Sequence, residues 1–127
     1  MIHEIEERGK PEVNLPAEPV TELVVTDLVE GTGDEVRPSD TVTVHYVGVG
    51  QATGRQFDAS WDRGETISFG LNQVIQGWSE GLVGMKLGGR RELVIPGEMA
   101  YGPHPPPGAG IQPNETLVFV VDLARIN

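Results

Sequence analysis

The chain has 127 residues, with 9 lysines and arginines against 19 aspartates and glutamates and no cysteine. That length fits one domain with a core of its own, and the lack of cysteine excludes disulfides, thiol nucleophiles and thiolate metal sites. Seventeen glycines and ten prolines imply many tight turns and short strands, which excludes an all-helical bundle.

The acidity is uneven. Residues 1–40 hold eleven acidic side chains against Arg8, Lys10 and Arg37, whereas residues 41–127 hold eight against six basic ones. No basic face is visible, so neither nucleic acid nor an anionic membrane surface is an expected partner. No apolar run reaches the roughly 20 residues that a bilayer span needs. The first residues, Met1 to Glu7, are acidic where a signal peptide would be basic and then apolar. A cytoplasmic location is the expectation.

In chain order, residues 1–19 form a charged extension with Pro11, Pro16 and Pro19 and no sustained period, the pattern of a solvated tail. The remaining residues, 20–127, form the domain. Thr21 to Glu30 is a first strand, followed by turns at Gly31-Thr32-Gly33-Asp34 and Pro38-Ser39-Asp40. Thr41 to Gly48 alternates cleanly and is a second strand. Gly54 to Asp58 and Glu65 to Phe69 are short strand candidates. Val74 to Val83 is the one helical stretch, with Ile75, Trp78 and Leu82 on one face. Gly77 and Gly81 lie four apart, so another element is expected to press close there. Arg90 to Ile95 alternates and stops at Pro96, residues 102–113 hold five prolines and three glycines in a long loop, and Thr116 to Ile126 is the strongest strand. This order implies an α+β fold, an antiparallel sheet with one short helix packed on its concave face.

Acid–base and nucleophilic constellations are scarce. There is no Gly-x-Ser-x-Gly elbow, no phosphate-binding glycine loop with its lysine, and no ligand spacing among His3, His45 and His104. His45, in an alternating strand, reads as a structural, hydrogen-bonded residue. Asp58 and Asp62 are four apart, but Arg55 and Arg63 nearby make ion pairing the simpler reading. The aromatic set is more unusual. Tyr46, Phe57, Phe69, Trp78, Tyr101 and Phe119 fall one per element, with Trp61 in a loop. If the sheet wraps the helix, several of them converge on an apolar pocket.

From Val44 to Ile126 the chain resembles the FK506-binding-protein family of peptidyl-prolyl isomerases. The matching segments are His45-Tyr46-Val47-Gly48, Gly54-Arg55-Gln56-Phe57-Asp58-Ala59-Ser60, Val74-Ile75-Gln76-Gly77-Trp78 and Glu80 to Gly88. Ile95-Pro96, Ala100-Tyr101-Gly102 and Ile111-Gln112-Pro113 before Leu117-Val118-Phe119 complete the set. The resemblance implies a curved antiparallel half-barrel around one short helix, with the pocket between them. It implies catalysis without a cofactor or metal, by a monomeric protein acting on proline-containing polypeptides and inhibited by macrolides of the tacrolimus and rapamycin type.

Carried over position by position, the resemblance assigns catalytic roles to Asp58, Tyr101, Ile75, Trp78 and Phe57. Trp78 would be the floor under the proline ring, Ile75 would offer its N–H to a ligand carbonyl, and Tyr101 would offer its hydroxyl to another. Asp58 would bond a polar ligand group or hold Tyr46 and Arg63 in place. Tyr46, Phe69, Val74, Ile111, Phe119, Ile67 and Arg63 would bind substrate. Ile67 stands where many members have an aromatic, and Trp61 where a small or polar residue is usual; Trp61 would cover the pocket entrance or pack under a loop. The Phe69–Val74 turn is short, the Pro103–Gly110 loop differs from the eukaryotic prototype, and neither a chaperone insert nor a His/Cys-rich metal tail is seen. The alternative to an isomerase is a binding module on the same fold, docking a partner through this pocket.

Overall fold

The computed structural model describes residues 2–127. Six antiparallel strands form one sheet: β1 (Val24–Val29), β2 (Thr41–Gly50), β3 (Gln56–Ala59), β4 (Ile67–Gly70), β5 (Arg90–Ile95) and β6 (Leu117–Ile126). Their spatial order is β1-β5-β6-β2-β3, with β4 also on β2. Among the described residues, three helical segments accompany them: α1 (Ile2–Arg8), α2 (Ser60–Arg63) and α3 (Gln76–Gly81). A 3-10 turn, Gly97–Met99, follows β5.

The long central strands β2 and β6 pair over most of their length, from Val42 opposite Ile126 to Gly50 opposite Leu117. Alternation along them separates two apolar layers. Val42, Val44, Tyr46, Leu117, Phe119, Val121 and Leu123 join Trp78, Leu82, Leu93 and Ile95 in the main core, on the face that carries α3. Val47, Val49 and Val120 form a smaller cluster with Ala59 on the opposite face, where Val13 and Trp61 cover it.

The expected helix over 74–83 is shorter, Gln76–Gly81. Ile75 keeps an extended backbone (φ −59°, ψ 152°) and its carbonyl accepts the N–H groups of Trp78 and Ser79 at 3.0 and 3.1 Å. The close approach expected at Gly77 and Gly81 is real: a Cβ at Gly77 would stand 2.5 Å from Ile95, and one at Gly81 would stand 2.8 Å from Leu93. Glycine at these two positions lets the helix sit directly on β5.

Other expectations change at their edges. The first strand is Val24–Val29 rather than 21–30, and it is a sheet edge exposed along its whole length. The two short candidates are β3 at 56–59 and β4 at 67–70, each shifted by one or two residues. Trp61 stands in α2, not in a loop.

The largest difference lies in the extension. Read as a solvated tail, its first residues instead form α1, which lies against β6 with Ile5 fully buried. Arg8 donates to Asp122 Oδ1 at 3.2 Å and to the Gly88 carbonyl at 2.6 Å, and Arg90 donates to the Gly9 carbonyl at 2.8 Å. Farther along, Gln51 bonds the Pro16 carbonyl and the Val20 N–H bonds Thr116 Oγ1. The arm therefore crosses the sheet face opposite α3. Its apolar contacts, at Ile5 and Val13, are eight residues apart, too sparse to register as a period.

Candidate active site

The strand β2 pairs β3 through Val47–Val49 and β4 through Thr41–Val44, leaving its edge open in between. Tyr46 sits at that opening. Ser60, the first residue of α2, fills the missing ladder: its Oγ accepts the Tyr46 N–H at 2.7 Å and donates to the Tyr46 carbonyl at 3.3 Å. The same Oγ lies 2.8 Å from His45 Nδ1. The departure of the chain into α2 is what opens a cleft beside β2, and the serine keeps the backbone polar groups satisfied there.

The cleft encloses about 590 Å³ and is lined by Tyr46, Phe57, Asp58, Arg63, Ile67, Phe69, Gln73, Val74, Ile75, Trp78, Tyr101 and Phe119. That volume suits a few residues of polypeptide or a small ligand. Trp78, Tyr46 and Phe119, each only 4% exposed, are its buried aromatics. Tyr46, Phe69 and Phe119 meet the Trp78 ring edge-to-face, with centroids at 5.4, 5.3 and 5.3 Å. Phe57 meets Phe119 the same way at 5.5 Å. Perpendicular rings of this kind are mutually favourable through their quadrupoles and hold one another at fixed angles. Gly48 makes room for them, since a Cβ there would lie 2.7 Å from both Phe57 and Phe119.

One wall is polar. The Tyr46 hydroxyl donates to Asp58 Oδ2, Arg63 donates to Asp58 Oδ1 at 2.6 Å, and a second Arg63 nitrogen donates to the Tyr46 oxygen at 3.1 Å. Burial alone would raise the Asp58 carboxyl, but the bonds from Tyr46 and Arg63 outweigh it and hold it below the usual carboxylate range. Tyr46 is pushed up to about 12 by burial and by its bond to Asp58. Tyr101 is raised as well, by burial and then by the Asp58 charge. Asp58 is therefore a fixed carboxylate, while both tyrosines keep their protons at neutral pH. The site holds donors and apolar walls, with no group poised to exchange a proton.

Of the residues singled out in the sequence, Asp58, Tyr101, Ile75, Trp78, Phe57, Tyr46, Phe69, Val74, Phe119, Ile67 and Arg63 line this one cleft. Ile111 does not; it packs against the main core. Gln73 lines the cleft and was missed, because a polar residue in a short turn carries no periodic signal. Trp61 does not line the cleft. It stacks on His45 from the opposite face, with centroids at 4.1 Å and planes 12° apart. His45 is 1% exposed and hydrogen-bonded, as a structural histidine should be. Asp58 pairs with Arg63 as expected, but the partner of Asp62 is Lys10, at 2.8 Å, and not Arg55.

Residues 33–124 match the family of FKBP-type peptidyl-prolyl cis-trans isomerases. The chain belongs to that family. It is 51% identical over 120 residues to the FK506-binding protein of Streptomyces anulatus, covering 92% of this chain and 97% of that one. Among solved structures, it is similar to the crystal structure of FkpA from Escherichia coli, with a TM-score of 0.77 and 41% identity. That likeness covers 99% of this chain and 56% of FkpA. A peptidyl-prolyl cis-trans isomerase from Pseudomonas syringae gives a TM-score of 0.75 at 32% identity, covering 99% of this chain and 89% of the other. The fold is accordingly that of FKBP-type isomerases, and the chain is a peptidyl-prolyl cis-trans isomerase of this type.

Proposed function

We propose that the aromatic cleft is where this isomerase turns the X–Pro bond, with the proline ring resting over Trp78. The observation that carries this reading is the ring cage itself: a buried Trp78 held edge-on by Tyr46, Phe69 and Phe119, beside a carboxylate whose oxygens are both engaged. Rotation about a peptide bond meets a barrier of about 18–20 kcal/mol, because resonance must be broken. The two X–Pro isomers differ by only about 0.5–1 kcal/mol, so the work lies in the barrier. No covalent bond is cut and no proton moves, which agrees with a site whose one carboxylate is already engaged by Tyr46 and Arg63.

A dry apolar cleft disfavours the planar amide, whose resonance separates charge, relative to the twisted form. Ile75, placed before the first helical turn, keeps its N–H outside the helical ladder and offers it to a substrate carbonyl. Tyr101, 39% exposed at the cleft, offers its hydroxyl to a second carbonyl. Together these donors hold the substrate in a turn that leads into the twist. An acceleration of 10⁴- to 10⁶-fold requires roughly 5–8 kcal/mol of preferential stabilisation of the twisted state.

In this reading the protein acts as a cytoplasmic monomer on exposed X–Pro bonds of folding chains. Tacrolimus- and rapamycin-type macrolides occupy the same cleft and inhibit it, a reading supported by relatives named as FK506-binding proteins. An isomerisation assay on a Leu-Pro-Phe peptide, run with and without such a macrolide, tests both halves. Turnover that the macrolide abolishes is expected. Turnover indifferent to the macrolide would overturn the inhibitor half, and tight macrolide binding without turnover would favour a docking module.

A further inference from the structure

The single turn of α2 joins the two faces of the sheet. In a helical turn each residue advances by about 100°, so positions two apart point to nearly opposite sides. Trp61 and Arg63 stand in that relation. Arg63 reaches the cleft and holds Asp58 and Tyr46, whereas Trp61 lies on the other face, stacked on His45 and packed with Val13 of the arm against Val47, Val49, Ala59 and Val120. Between them Asp62 accepts from Lys10 of the arm at 2.8 Å and from Gln56 of β3 at 2.7 Å. Ser60 closes the turn onto Tyr46 and His45. The arm itself is anchored independently, through buried Ile5 and through Arg8 on Asp122.

We propose that residues 2–20 and Trp61 form a brace behind the isomerase site, with Trp61 a positioning residue that fixes α2 and thereby the Tyr46–Asp58–Arg63 wall. The inference rests on the cleft being the reaction site. Alone, α2 is too short to hold its shape, because one helical turn fixes several dihedrals for very few hydrogen bonds. Its geometry must come from what packs on it. The Lys10–Asp62 pair is exposed and contributes little by itself, so the brace resides chiefly in the packed Trp61–His45–Val13 layer.

The test uses the full chain with Trp61→Ala, Trp61→Phe and the arm-displacing Ile5→Asp. It compares kcat/KM with amide exchange across residues 60–64, at a temperature well below each variant's unfolding midpoint. Trp61→Ala is expected to lower kcat/KM about fivefold and to speed exchange of the Gly64 N–H, which bonds the Trp61 carbonyl at 3.1 Å. Trp61→Phe, which keeps a ring on His45, restores most of both. In an Arg63→Ala background the Trp61→Ala loss in kcat/KM shrinks below twofold, since the brace acts through that wall. Ile5→Asp reproduces the exchange change at a distance. Unchanged exchange in Trp61→Ala, or an equal loss of kcat/KM with and without Arg63, would overturn the brace. Absence of turnover in the unaltered protein would instead overturn the isomerase reading of the cleft, and the exchange measurement would still decide the brace.

Discussion

Ser60 Oγ accepts the Tyr46 N–H at 2.7 Å where β2 has left β4 and not yet met β3. A side chain thus completes a sheet ladder, and the gap it bridges is the mouth of the aromatic cleft. Ser60 is fully buried, so water cannot take its place cheaply. Ser60→Ala leaves the Tyr46 N–H without its partner, and a buried donor left unsatisfied costs about 1–3 kcal/mol. A Tm lower by several degrees is expected from calorimetry, together with reduced kcat/KM. An unchanged Tm would mean that the backbone closes the gap unaided.

The polar wall and the exposed donor should separate in kinetics. Tyr101→Phe removes one hydroxyl and no packing, so kcat/KM should fall about two- to tenfold, the range for one neutral hydrogen bond, with Tm unaltered. Asp58→Ala strands both Tyr46 and Arg63 and should lower kcat/KM further. Peptide isomerisation at matched temperature measures both, and a Tyr101→Phe enzyme as fast as the parent would remove Tyr101 from substrate binding.

Room for the aromatic cage depends on Gly48. A methyl group there would meet Phe57 and Phe119 at 2.7 Å, and both rings are pinned by their mutual edge contact. Gly48→Ala is expected to destabilise by about 1–3 kcal/mol, as overpacked cores do, and to cut kcat/KM by displacing rings that line the cleft. Chemical denaturation with parallel kinetics tests this. Full activity in a destabilised Gly48→Ala protein would mean that the cage tolerates displacement.

His45 gives the fold an acid-sensitive point. Burial lowers its pKa below the usual 6.5, partly offset by the charges of Glu6, whose carboxylate lies 3.9 Å away, and of Asp122. The folded state then binds fewer protons than the unfolded chain, so stability falls as pH drops through the region below 6.5. Asp58, depressed in the folded state, adds a loss in the same direction at lower pH. Asp122 works the other way: burial raises its carboxyl despite Arg90 and Arg8, so its contribution improves on protonation. The expected result is a Tm that declines from pH 7.5 to 5 and declines less in His45→Gln. Parallel slopes in the two proteins would show that His45 does not titrate in that window.

Much of this protein is written locally. Alternation located β2 and β5 closely, and Thr116 to Ile126 read as the strongest strand, its residues Leu117 to Leu123 being buried on both faces. The four-residue spacing of Gly77 and Gly81 announced the close seat of α3 on β5 for a similarly local reason: only glycine permits that approach. Eleven of the twelve residues that the resemblance singles out line one cleft, Ile111 being the exception. Its side chain serves the core beneath a loop whose course follows from prolines and turns rather than from any period.

Three features required the tertiary structure. The arm reads as a charged tail because Ile5, Arg8, Val13 and Pro16 each meet a different part of the sheet, and spaced single contacts leave no periodic trace. Trp61 could not be assigned a side, since a single turn of helix between two strands has no pattern to show which face it presents. The Tyr46–Asp58–Arg63 wall likewise depends on α2 bringing Arg63 back over β2. By itself, the sequence located the strands to within a few residues and the glycine-seated helix, and the family resemblance named eleven of the twelve residues that line the cleft. The folded chain decided what covers the reverse face and how the cleft is held from behind, because those relations join residues that are distant in sequence and carry no local signal.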